Sequence, residues 1–379
     1  FVGSRDAWDL VVLNEGGRTF RAGFTFEGLR TMGAAWGDVD RDGDVDLAIA
    51  NGADDVSPPL WLNQGDGTFT PRDDLLPPRY AAGDAFNLPL VDLDGDGWLD
   101  LYRANDTVGG PGNLVAWNRG GWFEADDGSA GLNTDVCSMG LGVGDLNGDE
   151  LPDLALSDCT DLLLHVSSAA AGVWIDHSER AGLTIDPAGL REVPWGVDLG
   201  DLDNDGALDV YVGYGFVTDN DWFMAREELD GLYVQQPDGT FSEQSEAWGI
   251  TELTQSRGFV LADLDNDGWL DVLRQNLLGR PDLYLSRCGA EAWVRLELRQ
   301  PGPNPFALGA KVVVDDGERR QTRWVQSGGT SEASGGPPEV LFGLGGHDGD
   351  VSIEVTWPDG VRMAWEGVPT RRIVRLPRE

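Results

Sequence analysis

Positive charge is what this sequence has least of. Against 66 Asp and Glu it carries 27 Lys and Arg, a formal net charge of −39 over 379 residues, and Lys311 is its one lysine. A chain this acidic lacks the basic patches that nucleic acid and anionic membranes require, so both are excluded as partners and cations are favoured. The scarcity of lysine itself is given no functional reading. No apolar run approaches the length of a membrane span. No signal peptide is visible and residue 1 is Phe rather than Met, which reads as a processed or trimmed chain. Histidine is limited to His165, His177 and His347, none beside a Ser or Cys nucleophile motif, and His347 sits in a Gly/Asp turn that reads as solvated. A hydrolase elbow, a Walker loop and a dinucleotide fingerprint are all missing. Catalysis is therefore not expected, although the abundant carboxylates leave a glycosidase possible by inventory.

Cysteine is nearly absent too. Cys137 and Cys159 fall almost symmetrically about an acidic stretch at 145–153. If that stretch joins two antiparallel strands, the thiols come close, and a disulfide in an oxidising compartment follows; two buried free thiols are the alternative. Cys288 is left unpaired in either case.

What the chain does have is glycine (53), proline (20) and tryptophan (15) in an ordinary hydrophobic fraction of 41%. So many aromatics argue against a disordered acidic chain, and so many turn formers suit numerous short strands better than long helices. Within this background one acidic pattern recurs: DVDRDGDVD (38–46), DLDGDGWLD (92–100), DLNGDELPD (145–153), DLDNDGALD (201–209) and DLDNDGWLD (263–271). Successive copies start 54, 53, 56 and 62 residues apart. A merely solvated turn has no reason to keep its internal spacing five times. Each copy lies between stretches of alternating β-branched and aromatic residues, so each reads as a hairpin connection between strands. A second pattern follows most copies, as in PLWLNQGDGTF (59–69), LVAWNRGGWF (114–123) and LYVQQPDGTF (232–241), and LVVLNEGGRTF (10–20) opens the chain with it. It reads as strand, Gly-rich turn, strand. The third unit lacks this turn.

Four short strands in each unit of about 55 residues, repeated radially, predict an all-β fold: a β-propeller of five or six four-stranded blades with calcium-binding hairpin loops. The half unit at 8–26 is expected to close the ring against the last unit, near 258–288. Residues 290–379 predict a small C-terminal antiparallel β-domain after a propeller over 1–289, with strands at AWVRLELR, AKVVVDD, QTRWVQS, VSIEVTW and RIVRL.

Loop positions 1, 3, 5 and 9 direct short oxygen ligands at one centre, and position 7 can add a carbonyl. These ligands are Asp38, Asp40, Asp42 and Asp46; Asp92, Asp94, Asp96 and Asp100; Asp145, Asn147, Asp149 and Asp153; Asp201, Asp203, Asp205 and Asp209; and Asp263, Asp265, Asp267 and Asp271. A hard oxygen cage of this kind suits Ca²⁺; Mg²⁺ prefers a smaller octahedron with its waters, and Zn²⁺ prefers the His or Cys these loops lack. Gly43, Gly97, Gly206 and Gly268 at position 6 permit positive φ. Glu150 takes that place in the third loop, the weakest site, at a cost of roughly 1 kcal/mol. About five Ca²⁺ ions are expected, which would bring the formal charge from −39 to −29. An EF-hand is rejected, because position 12 is never Glu and the flanks are strands. Trp98 and Trp269 at position 7, and Trp36 and Trp195 before their loops, read as packing between blades, with sugar stacking as the alternative.

The loops and the later N-x-G-x-G-x-F turns resemble the FG-GAP/VCBS repeats of integrin-α-like propellers, over residues 8–288. That resemblance implies Ca²⁺ at loop positions 1, 3, 5 and 9. LGAKV, SGGTSEAS, LFGLG and VTWPDG within 308–360 resemble an ASPIC/UnbV domain. The combination is similar to cartilage acidic protein 1-like secreted proteins and bacterial relatives, some from enediyne biosynthetic clusters. It implies a secreted or cell-surface protein for binding, adhesion or scaffolding. Its partner would be an extracellular protein, a glycan or copies of itself. A self-assembling surface filament, and an accessory protein or enzyme of secondary metabolism, are the alternatives.

Overall fold

The computed structural model describes residues 3, 8–27, 29, 31–52, 59–81, 84–106, 110, 112–159, 161–167, 172–183, 193–218, 221–277, 279–286, 289–328 and 335–378. Cys288 lies outside them.

The acidic repeats organise five antiparallel sheets. A hairpin of β1 (Asp9–Asn14) and β2 (Phe20–Phe26) comes first. Sheet one is the meander β3 (Thr31–Gly37), β4 (Asp46–Asn51), β5 (Leu60–Asn63) and β6 (Phe69–Pro71). Sheet two has its inner edge split into β7 (Ala85–Asn87) and β8 (Leu90–Val91), followed by β9 (Asp100–Asn105), β10 (Leu114–Asn118) and β11 (Phe123–Ala125). Sheet three is β12 (Leu141–Gly144), β13 (Asp153–Asp158), β14 (Asp161–Ser167) and β15 (Trp174–Asp176), so the irregular third unit still supplies four strands. After a short helix, α1 (Ser178–Ala181), sheet four starts with β16 (Pro194–Gly200) and β17 (Asp209–Tyr214). A side hairpin, β18 (Phe216–Thr218) and β19 (Asp221–Arg226), interrupts it before β20 (Gly231–Gln235) and β21 (Phe241–Glu243) complete it. Sheet five has three strands, β22 (Ser256–Ala262), β23 (Asp271–Asn276) and β24 (Asp282–Tyr284).

The sheets stack face to face, with an apolar layer between each consecutive pair. In β4, Ala48 and Ala50 face sheet two while Leu47 and Ile49 face the N-terminal hairpin, so the strand is buried on both sides. Burial on both sides is why successive positions of this strand are apolar on either face. Small residues end the inner strands where the next sheet approaches. A Cβ on Gly144 would lie 2.4 Å from Leu208, and one on Gly200 would lie 2.8 Å from Leu270. Side chains of non-adjacent sheets also meet. Phe86 of sheet two packs on Trp195 of sheet four at 6.2 Å, and the Arg257 guanidinium of sheet five lies 3.8 Å from the same ring. Sheets two, four and five thus meet at the Trp195 ring. Trp195 and Trp269 are buried, Trp36 packs on Phe69, and Trp98 lies under the Arg41 guanidinium at 4.0 Å, so all four tryptophans pack.

Two expectations need correction. The N-terminal hairpin does not close a ring against the last unit. Among the described residues β1 and β2 pair only with each other, and Phe26 packs edge-on against Trp61 of sheet one at 4.9 Å. Its apolar face, Val11 and Phe26, is buried against Leu47, Ile49 and Phe69 of sheet one.

The C-terminal unit is the second correction. It holds β25 (Ala292–Arg299), β26 (Lys311–Asp315), β27 (Arg320–Trp324), β28 (Val340–Gly345), β29 (Asp350–Thr356), β30 (Arg362–Pro369) and β31 (Arg372–Pro377). It is not purely antiparallel. β26, β27, β29 and β30 form one antiparallel sheet, but in the other β25 pairs antiparallel with β28 and parallel with β31. After β30 the chain turns at Arg371, in the left-handed region at φ 56°, and crosses to the other sheet, where β31 runs alongside β25. The two sheets enclose Val294, Leu296, Val312, Phe342, Ile353 and Trp357.

Cys137 and Cys159 form a disulfide, with Cα atoms 5.3 Å apart, one at each end of the β12–β13 hairpin. It closes a loop with a sequence separation of 22 residues. Replacing both cysteines with serine is expected to cost about 3 kcal/mol, read as an earlier first transition in urea unfolding; wild type with reductant should match the variant.

Candidate metal centres in the acidic loops

All five loops fold the same way, because their own backbone N–H groups satisfy their carboxylates. The first-position Oδ2 accepts from the sixth-position N–H in every loop, at 2.9–3.1 Å. The third-position oxygen accepts from the fifth N–H, and the fifth-position oxygen from the seventh, as in Asp203–Asp205 and Asp205–Ala207. The sixth residue has positive φ each time, Glu150 included at 66°. The fourth residue does as well (Arg41, Gly95, Gly148, Asn204, Asn266), which the spacing did not announce.

The ninth-position aspartate has a role the sequence reading did not foresee. Both of its oxygens accept backbone N–H groups, at 2.6–3.0 Å. One donor is the second loop residue: Val39, Leu93, Leu146, Leu202 or Leu264. The other begins the chain beyond the third strand or ends that strand: Asn63, Asn118, Ser167, Gln235 or Ser286. Asp46, Asp100, Asp153, Asp209 and Asp271 therefore bind each loop to its own sheet.

In four of the loops oxygens of three carboxylates converge. Asp38, Asp40 and Asp42 each place one oxygen within 4.8 Å of the others, as do Asp92, Asp94 and Asp96, Asp201, Asp203 and Asp209, and Asp263, Asp265 and Asp271. Asp46 and Asp100 stay outside the first two sets, and Asp205 and Asp267 outside the last two. Asp145, Asp149 and Asp153 of the third loop form no such set among the described residues. There Asn147 donates to the Ser167 carbonyl at 3.1 Å, and the Ser167 hydroxyl donates to Asp149 at 2.9 Å.

Calcium, the ion the spacing implies, fits three loops on a separate observation. Asp38 Oδ1, Asp92 Oδ1 and Asp201 Oδ1 are buried and accept no hydrogen bond. A buried anionic oxygen without a donor is costly unless a cation faces it. Electrostatics agree. Burial, reinforced by Asp42 and Asp40, pushes Asp38 up to about 6. Burial with Asp94 and Asp96 takes Asp92 to about 7, and burial takes Asp201 to about 7 against the opposing pull of Arg323. A hard divalent ion would restore these groups to their ionised form.

The loops line one rim, and the C-terminal unit sits on it. Of the 27 basic residues, 11 fall in 290–379 beside 13 acidic ones, leaving 16 against 53 in residues 1–289. The nearly neutral unit thus meets the acidic one. Arg295 donates to Asp263 Oδ2 at 2.8 Å and to Asn266 Oδ1 at 2.7 Å. Lys311 donates to the Glu150 carbonyl at 2.7 Å, and Arg320 to its carboxylate at 3.0 Å. The N–H groups of Gly343 and Gly345 reach Asp201 Oδ2 (3.0 Å) and the Asn204 carbonyl (2.8 Å). None of these partners was recognised in the sequence. The single lysine was the available signal.

Residues 38–103, 92–156 and 218–273 match the FG-GAP-like repeat model, and residues 300–379 match ASPIC and UnbV. The chain therefore carries FG-GAP-like repeats followed by an ASPIC/UnbV domain. The fourth loop lies outside the matched spans yet has the same hydrogen bonds as the rest. Cartilage acidic protein 1 of Mus musculus is 28% identical over 298 residues, 74% of this chain and 43% of that protein. The chain thus spans less than half the length of this relative. Among solved structures, an Agrocybe aegerita lectin described as recognising non-reducing terminal N-acetylglucosamine has a TM-score of 0.42 at 18% identity, covering 72% of this chain and 73% of its own. The Dos1 propeller has a TM-score of 0.36 at 11% identity, covering 90% and 84%. Likeness at this level carries no functional assignment.

Asp209→Ala would leave the Leu202 and Gln235 N–H groups without acceptors. It is expected to cost roughly 2–5 kcal/mol in urea unfolding in chelator, and more in calcium, because Asp209 also belongs to the converging set of loop four. Asp201→Asn keeps an acceptor oxygen, and should destabilise only when calcium is present.

Proposed function

We propose that this protein is a calcium-stabilised extracellular propeller that binds or scaffolds other molecules and is not an enzyme. The observation that carries the reading is the set of buried first-position oxygens in loops one, two and four, each unpartnered and each beside other converging carboxylates. Calcium there would be structural, tying the hairpin of each sheet and offsetting repulsion within its loop. The Cys137–Cys159 bond supports an oxidising compartment, hence secretion or display at the cell surface. Similarity to a protein called cartilage acidic protein 1 supports the same setting. The histidines favour binding over catalysis: His165 is buried within sheet three with neither ring nitrogen bonded, and His347 faces the Asp350 carbonyl at 3.3 Å. The partner class that fits is an extracellular protein or glycan, or another copy of the chain.

Thermal unfolding in millimolar calcium and in excess EGTA, with metal counted on the purified protein, tests the reading. Calcium at a hundred times its dissociation constant adds about 2.7 kcal/mol for each site. A midpoint that falls steeply in EGTA is the expected result. An unchanged midpoint and no bound metal would overturn it.

A further inference from the structure

We infer that only three of the five acidic loops take calcium, and that the C-terminal unit supplies the counter-charge at the other two. This rests on the calcium reading above and divides the loops by what already occupies their first aspartate.

In loops one, two and four one oxygen of that aspartate is buried with no donor, and the residues themselves are nine-tenths or more buried at Asp38 (8% exposed) and Asp201 (1%). In loops three and five the corresponding oxygen is taken. Asp145 Oδ1 accepts from Gly148 at 2.8 Å and Asp149 at 3.1 Å, and Asp263 Oδ1 accepts from Asp267 at 3.0 Å. Both oxygens of each of these aspartates therefore already accept hydrogen bonds, unlike Oδ1 of Asp38, Asp92 and Asp201.

The same two loops, and not the first two, receive side-chain cations from the C-terminal unit. Arg295, 5% exposed, holds loop five by three bonds: to Asp263 Oδ2 (2.8 Å), the Asp263 carbonyl (3.0 Å) and Asn266 Oδ1 (2.7 Å). Trp293 covers the turn beside it; a Cβ on Gly268 would come within 1.8 Å of the indole. Asp263, Asp265 and Asp271 do converge as in the other loops. However, a divalent ion there would share Asp263 with a buried guanidinium, and like charges at that separation repel, whereas Arg119, which pairs with Asp94 and Asp96 of loop two, is about a third exposed and leaves Asp92 Oδ1 open. In loop three Lys311 and Arg320 ion-pair with Glu150, the residue that replaces glycine at position 6. The departure from the repeat pattern therefore creates a docking point. Loop four combines both roles, since Gly343 donates to Asp201 Oδ2 while Asp201 Oδ1 stays open. Arg319 reaches the carbonyl of Asp205 there, and the charge of Arg323 acts on Asp201 without a hydrogen bond to Oδ1.

Two consequences follow. The ion content of the chain is three, and the C-terminal unit stays docked when calcium is removed, because loops three and five hold it through protein cations.

The test is metal counting by mass spectrometry on the full chain, equilibrated with calcium and freed of unbound ion, for wild type and two isosteric variants. Three calcium ions per chain are expected. Asp201→Asn should reduce the count to two, and Asp263→Asn should leave it at three. Any other non-zero count for wild type, or loss of an ion in Asp263→Asn, would overturn the assignment and leave the calcium reading standing. A count of zero would overturn both.

Discussion

A carboxylate that accepts two backbone N–H groups holds this structure together. The ninth-position aspartate of each loop sits at the start of a sheet's second strand, fully enclosed at Asp46, Asp100, Asp153 and Asp271. One oxygen fixes the loop behind it and the other fixes the end of the third strand or the residues just past it. Three segments of one repeat are thus pinned at a single side chain. A buried carboxylate is costly alone, and paired N–H donors are what make it tolerable. The remaining loop aspartates can converge only because this one has fixed where the loop begins and ends.

The loops' regularity creates an electrostatic problem that the rest of the chain addresses. Five copies of the same acidic turn on one rim concentrate charge of a single sign. The C-terminal unit lies over that rim and presents Arg295, Lys311, Arg319 and Arg320 towards it. Residues that appear unremarkable in a domain with almost balanced charge become specific once the opposing loops are known. Between sheets four and five the same logic operates in the interior. Asp230 there accepts from Tyr211, Ser256 and Arg274, and both ends of the Arg274–Asp230 ion pair are fully buried. Such a pair, cross-braced by hydroxyls, favours one arrangement of the two sheets over others.

Much of this was legible in the sequence, because most of it is local. Spacing within nine residues defines the turns, and alternation in the flanks defines the strands. The five C-terminal strands expected from their β-branched runs are all present. The two strands that went unrecognised, Val340–Gly345 and Arg362–Pro369, are rich in glycine or interrupted by charge, which hides the alternation. Contacts between distant segments left no local trace. Lys311 is 161 residues from Glu150, and no pattern in either neighbourhood mentions the other. The position of the N-terminal hairpin failed for the same reason: its strands were recognisable, but not which apolar face they would cover.

One further contact links the ends of the repeat array. Ala35, on the inner strand of sheet one, forms a bridge with Gly328, and the Trp36 N–H donates to the Ser327 carbonyl at 3.1 Å. Farther along the same C-terminal segment, Pro337, Glu339 and Leu341 border a small cavity with Leu261 and Ala262 of sheet five. Gly328 and Pro337, on described stretches of the C-terminal unit, thus reach the first sheet and the last. During synthesis the first sheet emerges long before the residues that bridge it. The bridge on its inner edge must wait until the C-terminal segment has been made. Closing so long a loop is entropically expensive and is repaid only at the end. The contact that joins the first sheet to the C-terminal unit therefore cannot form until that unit is present.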